Sequence, residues 1–380
     1  MKYILSFVHL LLFVGFSSAQ ITPTIIPPNN NRKVQLAILF DTSNSMDGLI
    51  DQAKSRIWSI VNEASTLQYQ GQPTQLEIAL YEYGNDGLEA ADNYLRRILD
   101  LTTDLDEISK SLFALRTNGG SEYCGAVIGA SLDNLNWSNH PNDLRMIYIA
   151  GNESFEQGPI LYKTVCAKAK EKNIFVNTIF CGRYEQGISL NWQNGASCSG
   201  GDYFNIDSNK EVVHIDTPYD ADIKSYSDSL NTTYYGYGSL GRDKKAMQVT
   251  QDANASSQST NVAAERAISK SNKAAYKNAS WDLIDASEDG VDITKIPDAE
   301  LPAEFKGKTA AQKTALLEEK KSQRSAYQEK IASLAKEREQ FISDEMQKRA
   351  ESGEVIDDFG TSVNQSILEK AEKAGLEKQK

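Results

Sequence analysis

A run of oxygen-bearing side chains, DTSNS at residues 41–45, directly follows the apolar segment VQLAILF at residues 34–40. Asp41, Ser43 and Ser45 alternate along this run, so one carboxylate and two hydroxyl groups can converge in a tight loop. Oxygen-only ligands suit a hard cation, above all Mg²⁺, with Mn²⁺ and Ca²⁺ as alternatives. The pattern therefore predicts a metal site. The alternative is that these side chains only cap the following helix and bind loop amides.

Strand-like apolar segments alternate with helical segments from residue 33 to residue 215. This alternation predicts an α/β fold, a doubly wound and mostly parallel six-stranded sheet with helices on both faces. The predicted strands are 34–40, 76–83, 96–101, 144–150, 174–180 and 202–206, and the predicted helices are 47–66, 104–115, 124–135, 160–172 and 189–197. The link between 76–83 and 96–101 lacks a helical pattern, which indicates an antiparallel pair. Ligands of such sheets bind beyond the carboxyl ends of the strands, where Asp41 stands.

The DTSNS segment at the end of a buried first strand resembles the DxSxS motif of von Willebrand factor type A (vWA) domains, and the resemblance covers roughly residues 33–208. It implies a Mg²⁺ at the carboxyl edge of the sheet, in a metal-ion-dependent adhesion site (MIDAS) whose last coordination position takes a carboxylate from a bound protein. The family's second loop usually supplies a threonine. The matching segment here is NGGSE, residues 118–122, in which Ser121 would supply the hydroxyl.

The third loop departs from the family pattern, because Gly151 stands where vWA domains usually have an aspartate. Asn152 and Glu153 are the candidates to replace it. With one carboxylate fewer, Mg²⁺ binding is expected to be weak, or to depend on a partner that contributes its own acid. The segments GNESFEQGP and VNTIFCG also look like those of a subgroup of secreted bacterial vWA proteins with a helical tail.

All four cysteines lie within residues 124–198. An even number in an exported chain indicates two disulfides, for which the sequence alone leaves three pairings open. We predict the pairs Cys181–Cys198 and Cys124–Cys166, each of which would hold a loop at the rim of the site. The alternative is that these are free, buried thiols.

The beginning of the chain has the layout of a secretory signal, with Lys2, an apolar run and the small residues SSA. We predict a signal peptide at residues 1–19, a flexible leader at 20–32, and export to a periplasm or to the extracellular medium. No later apolar run is long enough to span a membrane. The formal charge of −12 argues against nucleic acid as a partner.

The composition changes after residue 215, and we predict a mainly helical C-terminal region at 216–380 beside the vWA-like domain at 33–215. The predicted helices are 243–285, 309–351 and 362–378. One face of the second carries Tyr327, Ile331, Leu334 and Phe341, but Lys320, Arg324 and Arg338 occupy other seam positions, so the coiled-coil pattern is weak. A helical arm that packs on the sheet, or self-associates with a copy of the chain, fits better.

Catalysis is not expected, because no nucleophile and histidine stand in a suitable arrangement. Glu82, Glu122 and Glu153 could pair as acid and base for glycoside chemistry, but the sequence reveals no substrate groove for them. We therefore predict an exported protein-binding module, for adhesion or assembly, with a degenerate MIDAS. The alternative is a metal-independent structural or assembly protein whose helical arm makes the contacts.

Overall fold

The computed structural model describes residues 32–47, 49–207, 215–273, 275–352 and 359–378, without the side chains of residues 51, 52, 55 and 56. The predicted signal peptide at 1–19 and residues 20–31 of the predicted leader lie outside this described part. The nine described strands are β1 (Lys33–Asp41), β2 (Leu67–Tyr69), β3 (Gln72–Pro73), β4 (Gln75–Tyr83), β5 (Leu95–Thr102), β6 (Leu144–Gly151), β7 (Phe175–Cys181), β8 (Tyr203–Ile206) and β9 (Glu377–Lys378).

Six of these strands form the main sheet, in the order β5-β4-β1-β6-β7-β8. All neighbours pair in parallel except β4 and β5, which are antiparallel as predicted. The order runs outwards in both directions from β1, which is the arrangement of a doubly wound sheet. The predicted fold class is therefore confirmed. The short strands β2, β3 and β9 form a separate three-stranded sheet.

Twelve α-helices accompany the strands in the described residues. They are α1 (Ile50–Ser65), α2 (Leu105–Ala114), α3 (Cys124–Asn134), α4 (Tyr162–Glu171), α5 (Tyr184–Ser189), α6 (Trp192–Ser197), α7 (Asp220–Asn231), α8 (Gly241–Gln258), α9 (Thr260–Ser271), α10 (Leu283–Glu288), α11 (Ala310–Glu351) and α12 (Phe359–Lys373). Short 3₁₀ turns lie at Asn44–Met46, Ala90–Asp92, Ile293–Lys295, Asp298–Glu300 and Ala303–Phe305.

Residues of β1 alternate between two hydrophobic layers, as the period of a strand requires. Leu36, Ile38 and Phe40 belong to a layer that includes α1, α2 and residues of the C-terminal helices. Ala37 and Leu39 belong to the opposite layer, which includes α3, α4 and α6. Both faces of the central strands are thus covered, which explains why the sequence of β1 is apolar without interruption.

The predicted helix 243–285 is wrong in its extent, because the chain forms α8, α9 and α10 over this segment. Ser259 separates the first two in an extended conformation (φ −166°), and its hydroxyl accepts a hydrogen bond from the N–H of Val262. A serine in this position favours capping a new helix over continuing the old one. The predicted helix 309–351 is confirmed as α11, which begins with a capping box formed by Thr309 and Gln312.

Two arginines of α11 are buried where the sequence suggested an interrupted apolar seam. Arg324 donates to Asp282 at 2.6 Å and to Asp285 at 2.7 Å. Arg338 donates to Asp220 of α7 at 2.7 Å. No coiled coil is evident among the described residues, because α11 packs on helices α7 and α9 of its own chain.

A third buried arginine joins the C-terminal helices to the sheet-forming part of the chain. Arg266 of α9 is 3% exposed and donates to Asp106 of α2 and Asp252 of α8, both at 2.7 Å. α12 also contacts α1 and β8. The C-terminal helices and the sheet therefore share one hydrophobic layer.

Candidate functional site

Asp41 ends β1 at the carboxyl edge of the main sheet, and its side chain is completely buried. Its Oδ1 accepts a hydrogen bond of 2.8 Å from the N–H of Ser43, whereas Oδ2 has no hydrogen-bond partner among the described residues. Burial raises the pKa of Asp41 to about 7, although hydrogen bonds from Ser43 and from the backbone of Asn152 lower it. A buried carboxylate with a free oxygen is costly unless a proton or a cation satisfies it.

The two serines of the motif lie in one chain of hydrogen bonds with Asn152. The hydroxyls of Ser43 and Ser45 are 2.8 Å apart, and Ser45 donates to Oδ1 of Asn152 at 2.8 Å. Asn152 in turn donates from Nδ2 to the carbonyl oxygen of Ser45 at 2.8 Å. The structure thus brings together Asp41, Ser43, Ser45 and Asn152, four of the six residues predicted for the site.

Glu153 and Ser121 are placed differently from the other four. The Glu153 side chain is exposed, and its charge raises the pKa of Asp41 from a distance, after the larger effect of burial. Its backbone carbonyl accepts a hydrogen bond from the indole of Trp192. Ser121 is half-buried, and its hydroxyl has no hydrogen-bond partner among the described residues.

Glu122 is the residue of the second loop that approaches Asp41, and it is not among the ligands predicted from the sequence. Its side chain is buried, and Oε2 has no hydrogen-bond partner among the residues that the structure describes. A Cβ placed at Gly84 would lie 2.7 Å from Oδ1 of Asp41 and 2.8 Å from Cγ of Glu122. Both acidic side chains therefore lie against Gly84, whose φ of +76° also favours glycine.

The pKa of Glu122 is raised by its burial and by the neighbouring acids. Burial, followed by the charges of Asp41 and Glu153, raises the pKa of Glu122 to about 8, and hydrogen bonding with Ser43 opposes this shift. No basic side chain is among the main influences on the pKa of Asp41 or Glu122. Glu122 lies two residues before the apolar helix α3, which indicates burial of the preceding loop but not which of its side chains faces Asp41.

An aspartate at Gly151, which the vWA resemblance leads one to expect, would crowd its neighbours. A Cβ at Gly151 would lie 2.5 Å from the hydroxyl oxygen of Tyr83, and 3.0 Å from both Oδ2 of Asp41 and the ring of Trp192. The Tyr83 hydroxyl donates to the carbonyl oxygen of Ala150 at 3.0 Å. The phenol of Tyr83 therefore occupies the volume that a side chain on the third loop would need.

The predicted disulfide pairs are wrong. The structure contains Cys166–Cys198, while Cys124 and Cys181 are free and buried. Cys181 cannot reach Cys198, because it faces the layer of α1 on the opposite side of the sheet. Cys124 begins α3 close to Tyr83, at an Sγ–Oη distance of 3.8 Å, whereas Cys166 faces α6.

Among the described residues, no three His, Cys, Asp or Glu side chains converge as a metal site. A cation here would therefore depend on hydroxyl and amide oxygens in addition to carboxylates. In the same part of the chain, no helix is both long enough and apolar enough to cross a membrane.

No protein-family model matches this chain, and no curated protein matches it. Solved structures do. BatB from Bacteroides thetaiotaomicron is 17% identical over 46% of this chain and 90% of its own, with a TM-score of 0.37. The SpRpn10 VWA domain is 16% identical over 47% and 90%, with a TM-score of 0.35. The mussel byssus protein PTMP1, solved with a zinc-occupied MIDAS motif, is 12% identical over 47% and 43%, with a TM-score of 0.35.

Proposed function

We propose that this chain, whose main sheet has the fold of a vWA domain, is a protein-binding module that uses a divalent cation at the end of β1. The observation that carries the proposal is the buried Asp41, whose Oδ2 has no partner among the described residues. Asp41 and the hydroxyls of Ser43 and Ser45 would hold Mg²⁺, with Mn²⁺ or Ca²⁺ as alternatives. Ser121, Asn152 and Glu153 are further candidates from the other two loops.

The bound ion would supply a Lewis acid that accepts a carboxylate from a protein partner. The position of the site supports this role, because Ser45 is exposed whereas Asp41 and Ser43 are buried. The protein would thus coordinate the ion from its buried side and leave the solvent-facing coordination position of the ion to the partner. We further propose that the chain is not an enzyme and does not bind nucleic acid, in keeping with its formal charge of −12.

Export of the protein is part of the proposal. The disulfide Cys166–Cys198 supports it, because disulfides persist mainly in oxidising compartments. Both a periplasm and the extracellular medium meet this condition, and the segment at 1–19 has the layout of a secretory signal.

A metal-independent binding protein is the second candidate, and the hydrogen bonds from Ser43 through Ser45 to Asn152 favour it, since they satisfy these side chains without an ion. In this version the C-terminal helices make the contacts. An open hollow of about 380 Å³ lies between the start of α7 and the exposed side of α11, and it is lined in part by Tyr219 and Phe341.

Thermal unfolding of the full chain tests the metal-dependent function. An ion that binds only the folded state stabilises it, by about 2.7 kcal/mol at a concentration 100 times Kd. Millimolar Mg²⁺, added after EDTA treatment, is expected to raise the unfolding midpoint of the wild type but not of Asp41→Ala. Asp243→Ala is the matched control, because the Asp243 side chain is 77% exposed. The absence of any shift in the wild type with Mg²⁺, Mn²⁺ and Ca²⁺ would contradict the proposal.

Capture of partners from the native medium then separates the two candidates. Metal-dependent binding predicts that EDTA and Asp41→Ala both abolish capture. The second candidate predicts that neither has an effect, and that Lys336→Glu on the exposed face of α11 weakens capture instead.

A further inference from the structure

Two buried carboxylates meet at the end of β1, and the described residues supply no opposing charge for them. Asp41 is 0% exposed and Glu122 is 5% exposed, and each has an oxygen atom without a hydrogen-bond partner in the described part of the chain. Both lie against Gly84, and both interact with the hydroxyl of Ser43. Burial of two unpaired like charges costs several kcal/mol unless a counter-ion compensates them.

We propose that Glu122 is the second carboxylate ligand of the divalent cation, in place of Ser121 and of the missing aspartate on the third loop. This inference rests on the proposed function, since it concerns the same ion. It adds that Asp41 and Glu122 together balance the two positive charges, so the ion binds before any partner arrives.

The second loop has the shape that this role requires. Gly120 packs so closely on the carbonyl group of Gly84 that a Cβ there would clash with it. This contact brings the loop over the end of β4, next to Asp41. The chain then enters α3, whose first turn is buried, and Glu122 is carried inwards with it. Ser121 precedes this inward turn and remains half-buried.

The third loop carries no acid at the position that the vWA resemblance implies, where Gly151 stands. A side chain at Gly151 would overlap the hydroxyl of Tyr83, so an acid at this position would have to displace the phenol. Asn152 offers a neutral oxygen, and its amide is already engaged with Ser45. Glu122 approaches Asp41 from the neighbouring loop, on the side of Gly84, and would supply the second negative charge.

Mn²⁺ binding to the purified, partner-free full chain tests the inference. Electron paramagnetic resonance of free Mn²⁺ gives the dissociation constant for the wild type, Asp41→Ala, Glu122→Gln and Ser121→Ala. We expect Glu122→Gln to bind Mn²⁺ at least about tenfold more weakly than the wild type, because a direct charged ligand becomes neutral. Ser121→Ala is the control from the same loop, and its affinity is expected to stay within about twofold of the wild type.

Unfolding in EDTA provides a second readout that a merely structural role would not give. Without metal, Glu122→Gln is expected to unfold at the same temperature as the wild type or at a higher one, because it removes a buried charge. If Glu122 only supported the structure of the loop, Glu122→Gln would lower the unfolding temperature in EDTA.

The outcomes separate the inference from the proposed function. If Asp41→Ala and Ser121→Ala lose Mn²⁺ while Glu122→Gln binds it normally, the inference is overturned and metal-dependent function stands. If the wild type does not bind Mn²⁺, Mg²⁺ or Ca²⁺, both are overturned. Loss of binding in Asp41→Ala and Glu122→Gln, with binding kept in Ser121→Ala, supports both.

Discussion

Replacing Arg266 with methionine removes the guanidinium group that joins the C-terminal helices to α2. Methionine retains most of the apolar volume, so the substitution mainly deletes the charge. The carboxylates of Asp106 and Asp252, each 2.7 Å from a nitrogen atom of Arg266, then lose a buried hydrogen-bond donor. Removal of one member of a buried ion pair typically costs about 3–5 kcal/mol, because the remaining charge is left uncompensated.

The remaining contacts place the expected loss at the lower end of that range. Asp252 keeps its ion pair with Lys270, and Asp106 keeps a hydrogen bond of 2.5 Å from the hydroxyl of Tyr276. We therefore expect Arg266→Met to lower the free energy of unfolding by about 3 kcal/mol. This is a large part of the ~5–15 kcal/mol that stabilises a typical domain.

Urea unfolding followed by circular dichroism measures this loss as a lower midpoint concentration. Arg242→Met is the matched control, because Arg242 is 93% exposed beside Asp243, and its replacement should change stability by less than about 0.5 kcal/mol. A loss below about 1 kcal/mol for Arg266→Met, or one equal to that of the control, would refute the argument that this ion pair fastens the helices to the sheet.

Three further predictions concern acid, reduction and the third loop. Burial by itself would raise the pKa of Asp252, but Lys270 and Arg266 outweigh burial and hold this pKa below its ordinary value. The ionised carboxylate therefore stabilises the fold above the ordinary pKa, and this contribution is lost as the pH falls through the lower, folded-state pKa. Asp252→Asn should accordingly show a smaller acid-induced fall in stability in urea unfolding. Reduction of Cys166–Cys198, which are 32 residues apart, should lower the free energy of unfolding by about 3–4 kcal/mol, and dithiothreitol should have no such effect on a variant in which both are alanine. Gly151→Asp should destabilise the fold by at least about 2 kcal/mol, because the new side chain overlaps the phenol of Tyr83, and adding Tyr83→Phe should restore part of the loss. If Gly151→Asp unfolded at the same urea concentration as the wild type, this packing argument would be contradicted.

The strands could be predicted from the sequence because both faces of a parallel sheet must be apolar. A short apolar segment such as VQLAILF, rich in β-branched and aromatic residues and followed by turn residues, is typical of a buried strand. The bounds of β1 differ by only one residue at each end from the prediction at 34–40. The position of Asp41, Ser43 and Ser45 followed for the same reason, since the end of a buried strand fixes where its loop begins.

Glu122 and the disulfide could not be predicted in the same way, because they depend on three-dimensional positions that the spacing of residues does not encode. Whether Ser121 or Glu122 faces Asp41 is decided by how one loop packs on the glycine of another. The pairing of Cys166 with Cys198 requires knowing that Cys181 faces the other side of the sheet. One residue of displacement in a strand or loop reverses such an assignment.

The ion pairs of α11 determine how this 42-residue helix can dock. Leucine and isoleucine would tolerate a shift of one helical turn, about 5.4 Å, because one apolar contact can replace another. Arg324 and Arg338 would not tolerate such a shift, because it would separate both guanidinium groups from their acids. Four or more charged groups would then be left unpaired in the interior. The position of α11 along α7 and α10 is thus fixed by charge as well as by apolar packing.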